Sequence, residues 1–222
     1  MLDMSLPTFS GSASTQPTTT VTPASRAVFG KRFFDVLIAL LLLIFILSWL
    51  LPLIGILVRL TSPGPALFIQ LRMGRNGVPF RCLKFRTMTF DPNGEFRQAQ
   101  RNDPRITKLG AFLRKSNLDE LPQLINVLTG QMSLVGPRPH PLRLDAEHWH
   151  TMANYPNRYA VRPGITGLAQ ARGCRGETAE LIQMQHRLRL DLFYIQKRSM
   201  KLDLMICWWT LAKMILGDEK AH

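Results

Sequence analysis

Residues 36–58 run for 23 positions without a charged side chain. As a straight helix at about 1.5 Å per residue, they would cover about 35 Å, more than the roughly 30 Å hydrocarbon core of a bilayer. Such a run must lie in lipid or be enclosed by a core, and its flanks favour lipid. Arg26, Lys31 and Arg32 precede it, and residues 59–90 follow with six cations and no acid. Positive charge marks the cytoplasmic side of a membrane segment. Two basic flanks leave two topologies open, a complete span or a re-entrant helix that returns to the side it entered from. Pro52 inside the run, with Gly55 behind it, predicts a break.

A chain of 222 residues has room for one membrane element and one compact domain. Its net charge of +13 calls for an anionic partner. The long apolar run turns that choice towards membrane and phosphorylated substrates. The basic residues are dispersed and no nucleic-acid module is evident, so nucleic acid is not expected as a partner. Three cysteines without a CxxC spacing fit packing in a reducing compartment better than a disulfide framework or a metal site. The five histidines are scattered, and His148 and His150 would face apart on a helix.

Residues 1–25 hold 11 Ser/Thr and three Pro, the composition of a disordered tail. After the apolar run, Ser62-Pro63-Gly64-Pro65 marks a turn that releases the chain. Short strands are expected at 66–71 and 78–85 around a Gly74/Gly77 turn, followed by irregular polar sequence at 91–105. Helices are expected at 107–114, 119–128, 141–155, 177–199 and 204–216. Leu181, Met184 and Leu188 should share a face of the fourth of these, and Asp203 should cap the last. Trp208 and Trp209 suit either a membrane interface or a core. The expected fold class is α+β, mostly helical with a small β element, and membrane-associated.

Asp119 and Glu120 are adjacent acids at the head of an apolar helix-like run. Asn117-x-x-Glu120 resembles a capping box, a purely structural use of the pair. The chemical alternative has one carboxylate attacking phosphorus while the other binds a metal. That chemistry needs cations to offset the charge of the phosphate. Lys84 and Arg86 alternate with apolar neighbours and would share a strand face. Arg138, between Pro137 and Pro139, has a stiffened backbone suited to gripping phosphate. The Gly-rich loop at 162–177 could also hold an anion.

Six segments complete the sequence pattern. Lys31-Arg32-Phe33-Phe34-Asp35, SPGPALFIQLRMGRNG (62–77), LKFRTM (83–88), LDELPQLINVLTGQMSLVGPRP (118–139), RPGITGLAQARG (162–173) and LDLFYIQ (190–196) occur in that order. Together they strongly resemble the bacterial sugar transferase family, the monotopic polyprenyl-phosphate phosphoglycosyl transferases. The resemblance implies transfer of a sugar 1-phosphate from a UDP-sugar to undecaprenyl phosphate, with release of UMP, at the start of exopolysaccharide or glycoconjugate synthesis. It implies Asp119 as nucleophile, forming a covalent phosphosugar intermediate, and Glu120 as the Mg²⁺ ligand. Lys84, Arg138 and Asp191 match functional positions of the family, and Arg175 is a further candidate phosphate contact. The implied location is the bacterial inner membrane, with residues 26–60 re-entrant and residues 61–222 on the cytoplasmic face. Membrane lipids, and a second copy of the chain, are further candidate partners. Many members have adjacent Ser-Pro at the break, whereas Ser48 and Pro52 are separated here by Trp49-Leu50-Leu51. Gly176-Glu177-Thr178 with Met184 resembles relatives that use glucose, which ranks glucose ahead of galactose and N-acetylated sugars. The competing class is a non-catalytic basic membrane scaffold, which would have no use for the acid pair.

Overall fold

A computed structural model describes residues 26–91, 103–174 and 181–216, with side chains over 30–91, 103–174 and 181–214. The expected tail at 1–25 and most of the irregular stretch at 91–105 lie outside the described residues. The fold is a mixture of helix and small sheets. Helix α1 (Arg26–Leu42) passes through a wider π-type turn, Leu43–Leu47, into α2 (Ser48–Thr61). Gly30–Thr61 is thus a 32-residue helix, about 48 Å long, and long and apolar enough to cross a bilayer. Only 17% of its most apolar window is buried, so most of those side chains face outward, among them Ile44, Phe45, Trp49 and Leu60.

The break expected at Ser48 and Pro52 takes an unexpected form. Leu42, Leu47 and Ser48 all keep right-handed helical backbone, and Pro52 lies inside α2. Proline cannot donate the hydrogen bond that a helix requires four residues back. The π-type turn one step upstream shifts the hydrogen-bond register where that donor is lost. Ser48 supports the turn by donating its hydroxyl to the Ile44 carbonyl at 2.8 Å. The irregularity is absorbed within a helix that does not stop.

The cationic end of α1 is bound into the domain. Arg32 donates to the carbonyls of Val127 (2.7 Å) and Leu128 (3.0 Å) at the end of α4 (Gln123–Leu128). These are the carbonyls that a helix end leaves unpaired, and a cation there also complements the helix dipole. Asp35 is buried and accepts from the Ser133 hydroxyl at 2.7 Å and the Leu134 amide at 3.2 Å. Lys31 reaches Asp203 at 2.7 Å, in the first turn of α8 (Met200–Leu216). Asp203 does not cap that helix: its carboxylate also takes the Tyr194 hydroxyl, and Ser199 accepts the Leu202 amide instead.

Strands β1 (Leu67–Met73) and β2 (Pro79–Phe85) form the expected antiparallel hairpin, with Leu67 opposite Phe85 and Met73 opposite Pro79. Its turn uses left-handed backbone at Asn76 and Gly77. Helix α3 (Lys108–Lys115) begins at Thr107, whose hydroxyl accepts from the Gly110 amide. A second sheet was not expected. In it, β3 (Ser133–Val135) runs parallel to β4 (Gly164–Thr166) within the expected Gly-rich loop. The two strands approach so closely that a methyl group on Gly164 would lie 2.1 Å from the Gly136 nitrogen.

The expected helix at 141–155 is shorter, α5 (Leu142–Trp149), with a separate 3₁₀ segment at Tyr155–Ala160. Helices α6 (Leu168–Ala171), α7 (Leu181–Lys197) and α8 complete the fold. On α7, Met184 and Leu188 are buried as expected, but Leu181 is exposed. The tryptophans divide: Trp208 is exposed, whereas the Arg172 guanidinium covers Trp209 4.4 Å from the ring centre. The main core joins Ala39 and Leu47 of the long helix to Leu124, Val127, Met132, Tyr194 and Ile206.

The β3–β4 approach gives a direct test of packing. Gly164→Ala should cost about 1–3 kcal/mol or more through backbone overlap and lower the melting temperature in detergent. Gly30→Ala, whose methyl meets nothing within 4 Å, should leave it unchanged or higher.

Candidate active site

The acid pair sits in a single 3₁₀ turn, Leu118–Glu120, just ahead of α4. Asn117 starts this turn in left-handed backbone with φ of 57°, and its side chain caps nothing. The capping box is therefore not formed. The Glu120 side chain turns instead towards two cations from distant parts of the chain.

Lys84, near the end of β2, donates to Glu120 Oε1 at 2.6 Å. Arg138 donates Nη2 to the same oxygen at 2.6 Å and Nη1 to Oε2 at 3.2 Å. This two-pronged contact is the geometry in which a guanidinium binds a carboxylate best. Burial opposes ionisation of Glu120, yet Arg138 and then Lys84 hold its carboxyl well below the usual range. Asp119 has the opposite environment. It is buried beside Glu120, with no hydrogen bond or ion pair to another described residue. Burial pushes its carboxyl up to about 6; Lys84 draws it down and the Glu120 charge pushes it up. Neighbouring carboxylates thus have their proton affinities driven apart, as when two acids serve different roles.

Among the described residues, no group of three or more His, Cys, Asp or Glu side chains could hold a metal. Mg²⁺ does not need one, since it binds through one or two carboxylates plus waters and substrate phosphates. Glu120 accepts three hydrogen bonds, leaving about one of roughly four acceptor directions. Asp119 keeps its own, so the pair fits a shared ion in donor type.

Arg86 does not join this site. It lies just beyond β2, and its guanidinium donates to the carbonyls of Ser62 (2.7 Å), Pro63 and Val58 (3.4 Å). It closes the C-terminal end of the long helix, and the alternation shared with Lys84 ends with the strand. Asp191 is likewise displaced from phosphate contact. It forms a buried ion pair with Arg158 at 2.8 Å, and the same Arg158 nitrogen donates to the Arg138 carbonyl at 2.8 Å. Asp191 holds Arg158, and Arg158 holds the turn that carries Arg138. Arg175 and Gly176-Glu177-Thr178 lie outside the described residues, while Met184 is buried in a cluster with Tyr155, Tyr159 and Leu188.

Comparison with known proteins places this geometry. The family model described as "Bacterial sugar transferase" matches residues 26–217. The chain belongs to the bacterial sugar transferase family. An Escherichia coli (strain K12) protein named UDP-glucose:undecaprenyl-phosphate glucose-1-phosphate transferase is 47% identical over 184 residues, covering 82% of this chain and 39% of that protein. A Caulobacter vibrioides protein of the same name is 47% identical over 190 residues, covering 85% of this chain and 71% of its own length. The exopolysaccharide production protein PSS of Rhizobium leguminosarum bv. phaseoli is 42% identical over 186 residues, covering 82% and 92%. The chain thus spans about two fifths of the Escherichia coli relative and nearly all of the Rhizobium one.

This sugar transferase chain also contains functional neighbours that motif reading missed. Arg158 donates to His140 Nδ1 and to the Tyr155 hydroxyl, and both Tyr155 and Tyr159 donate to Asp145. Burial, then the nearby Arg158, drives His140 well below its usual range and keeps it neutral. Arg114 donates to the Thr87 hydroxyl at 2.9 Å, and its charge acts on Asp119. The one sequence signal for the network was a dense set of polar and aromatic residues at 140–159, too polar for a simple core helix.

Removing one member of a buried pair strands the other charge. Asp191→Ala should therefore cost about 3–5 kcal/mol in detergent unfolding. The double variant Asp191→Ala/Arg158→Met should cost less than the sum of the two single variants, since each single one strands a charge. A cost equal to the sum would mean that the two side chains act independently.

Proposed function

We propose that this chain transfers glucose 1-phosphate from UDP-glucose to undecaprenyl phosphate. The observation that carries the reading is the divided carboxylate pair: Glu120 locked as an anion by Lys84 and Arg138, and Asp119 buried beside it with no hydrogen bond or ion pair among the described residues. The names of the Escherichia coli and Caulobacter vibrioides relatives supply the substrates. The name of the Rhizobium relative supports a place at the start of exopolysaccharide synthesis.

In the first half-reaction, an Asp119 carboxylate oxygen attacks the phosphorus that bears the sugar. The bond from that phosphorus to the bridging oxygen breaks, and UMP leaves with the electron pair. An oxygen of undecaprenyl phosphate then attacks the same phosphorus. The acyl-phosphate bond breaks and the Asp119 carboxylate is restored. Lys84 and Arg138 lie where they can offset phosphate charge as Asp119 approaches. Mg²⁺, held by Glu120 with Asp119, would neutralise charge on the diphosphate. Asp191 and Arg158 position Arg138 and touch no substrate.

The long helix suits this substrate, since an undecaprenyl chain is confined to the bilayer. Its outward-facing apolar side chains favour lipid, and its two basic flanks, with the π-type turn and Pro52 between them as a place to bend, support a re-entrant helix that leaves the domain on the cytoplasmic face of the bacterial inner membrane.

With UDP-glucose, Mg²⁺ and no lipid, wild-type protein should gain one phosphosugar by intact mass and release one UMP. Asp119→Asn should slow UMP release at least about a thousandfold and show no adduct. An adduct at wild-type level would assign the nucleophile elsewhere. Because the attacking carboxylate must be ionised, kcat/KM of this half-reaction should fall about tenfold per pH unit below a break that burial sets at about 6 in the metal-free site and that Mg²⁺ on the pair would move lower, and level off above it. Omitting the lipid keeps its own phosphate titration out of the profile. The helix topology has a separate test in cells. Cysteines placed before Arg26 and after Arg59 should both resist a periplasmic thiol reagent, whereas labelling of the first would establish a full span.

A further inference from the structure

The cationic end of the long helix borders a second, independent feature. Lys31, Arg32, Arg75, Arg162 and Arg198 line one cavity together with Asp35. The cavity measures about 40 Å³, room for about three waters at 10–15 Å³ each.

The charges around it do not balance. Asp35 is committed to Ser133 and Leu134, and it lies 3.9 Å from Lys31. Lys31 takes Asp203. Arg32 is spent on the carbonyls of Val127 and Leu128, and Arg162 donates Nε to the Gly130 carbonyl at 2.8 Å. The side chains of Arg75 and Arg198 have no hydrogen bond or ion pair among the described residues. The Nη2 of Arg198 is buried and has no hydrogen-bond partner. Burial holds the Arg162 guanidinium below its usual range, and repulsion from Arg32 and Arg75 adds to the shift. A buried unpaired donor and crowded like charges are both costly, and one anion in the cavity would relieve both.

We propose that this cavity binds a phosphate group, presented by the headgroup of an anionic phospholipid. Several guanidinium groups converging on a small space match the fork geometry that grips phosphate oxygens. The cavity sits where the polar end of a membrane helix meets the domain, the depth at which headgroups lie. It is also separate from the acid pair: Arg32 grips the last carbonyls of α4, whereas Asp119 and Glu120 precede the first turn of that helix. The lipid source rests on the membrane reading above; the anion site does not.

The test uses the full chain in two arms. In nanodiscs of phosphatidylcholine with phosphatidylglycerol, retained lipids are counted by native mass spectrometry. In detergent, inorganic phosphate is titrated against melting temperature. Arg75→Gln/Arg198→Gln is compared with Lys115→Gln/Arg143→Gln, which removes the same charge from exposed positions. Wild type and the control pair should retain phosphatidylglycerol preferentially, and the cavity pair should retain about tenfold less. Stabilisation by inorganic phosphate in wild type and control alone, without a lipid preference, would keep the site and assign it to a soluble phosphate. Equal behaviour of the two pairs, or no response in either arm, would overturn the proposal. If the cavity pair does not fold, Arg75→Gln, in the exposed hairpin turn, carries the same comparison. UDP-glucose turnover plays no part in either readout, so a failed anion site and a failed transferase reading remain distinguishable.

Discussion

The pairing of Glu120 with Lys84 and Arg138 joins three parts of the chain that have no sequence proximity. Lys84 comes from a hairpin strand, Glu120 from the turn before α4, and Arg138 from the Pro-Arg-Pro turn after β3. The cations keep Glu120 ionised despite burial. That fixed charge in turn raises the proton affinity of Asp119. Loss of Arg138 or Lys84 would do more than remove a phosphate contact, because it would leave a buried carboxylate uncompensated and change its neighbour's titration. A substrate diphosphate would compete with Glu120 for the same two cations. In the reaction proposed above, Glu120 would hold the site together beforehand by standing where the phosphate charge would come.

Support for this arrangement comes from further inside. Arg158 spends one nitrogen on both Asp191 and the Arg138 carbonyl, tying α7 to the Pro-Arg-Pro turn. His140, Tyr155 and Asp145 extend the network, while His140 Nε2, Asp145 Oδ2 and Arg158 Nε are buried with no hydrogen-bond partner among the described residues.

The sequence was most readable where local chemistry alone decides the structure. The hairpin at 67–85, the helix expected at 107–114 and the apolar helix follow from alternation, periodicity and hydropathy, and they stand within a residue or two of expectation. Asp119 and Glu120 were legible as a pair, but their division of roles was not. It depends on Lys84 and Arg138, which are 36 and 18 residues from Glu120. The capping-box pattern around Asn117 was misleading because long-range ion pairing outcompetes a local backbone contact. Strands β3 and β4 have three residues each, too few for a period-two pattern. Arg86 and Asp191 looked like substrate contacts because a charged residue in a motif carries no sign of whether its partner is a ligand or a carbonyl.

A long apolar helix at the head of a domain invites reading as an anchor tied to an otherwise complete body. Here Ala39 and Leu47 belong to the same core as Val127 and Ile206, Ile54 and Val58 pack with Phe85 and Leu113, and Asp35 completes hydrogen bonds of β3. One narrow face of the helix is therefore part of the domain while the rest faces outward. A shorter, water-soluble version could not be made by cutting the chain at residue 60. The cut would open an apolar trough along the domain, so in the membrane reading proposed above, insertion and domain folding would be coupled.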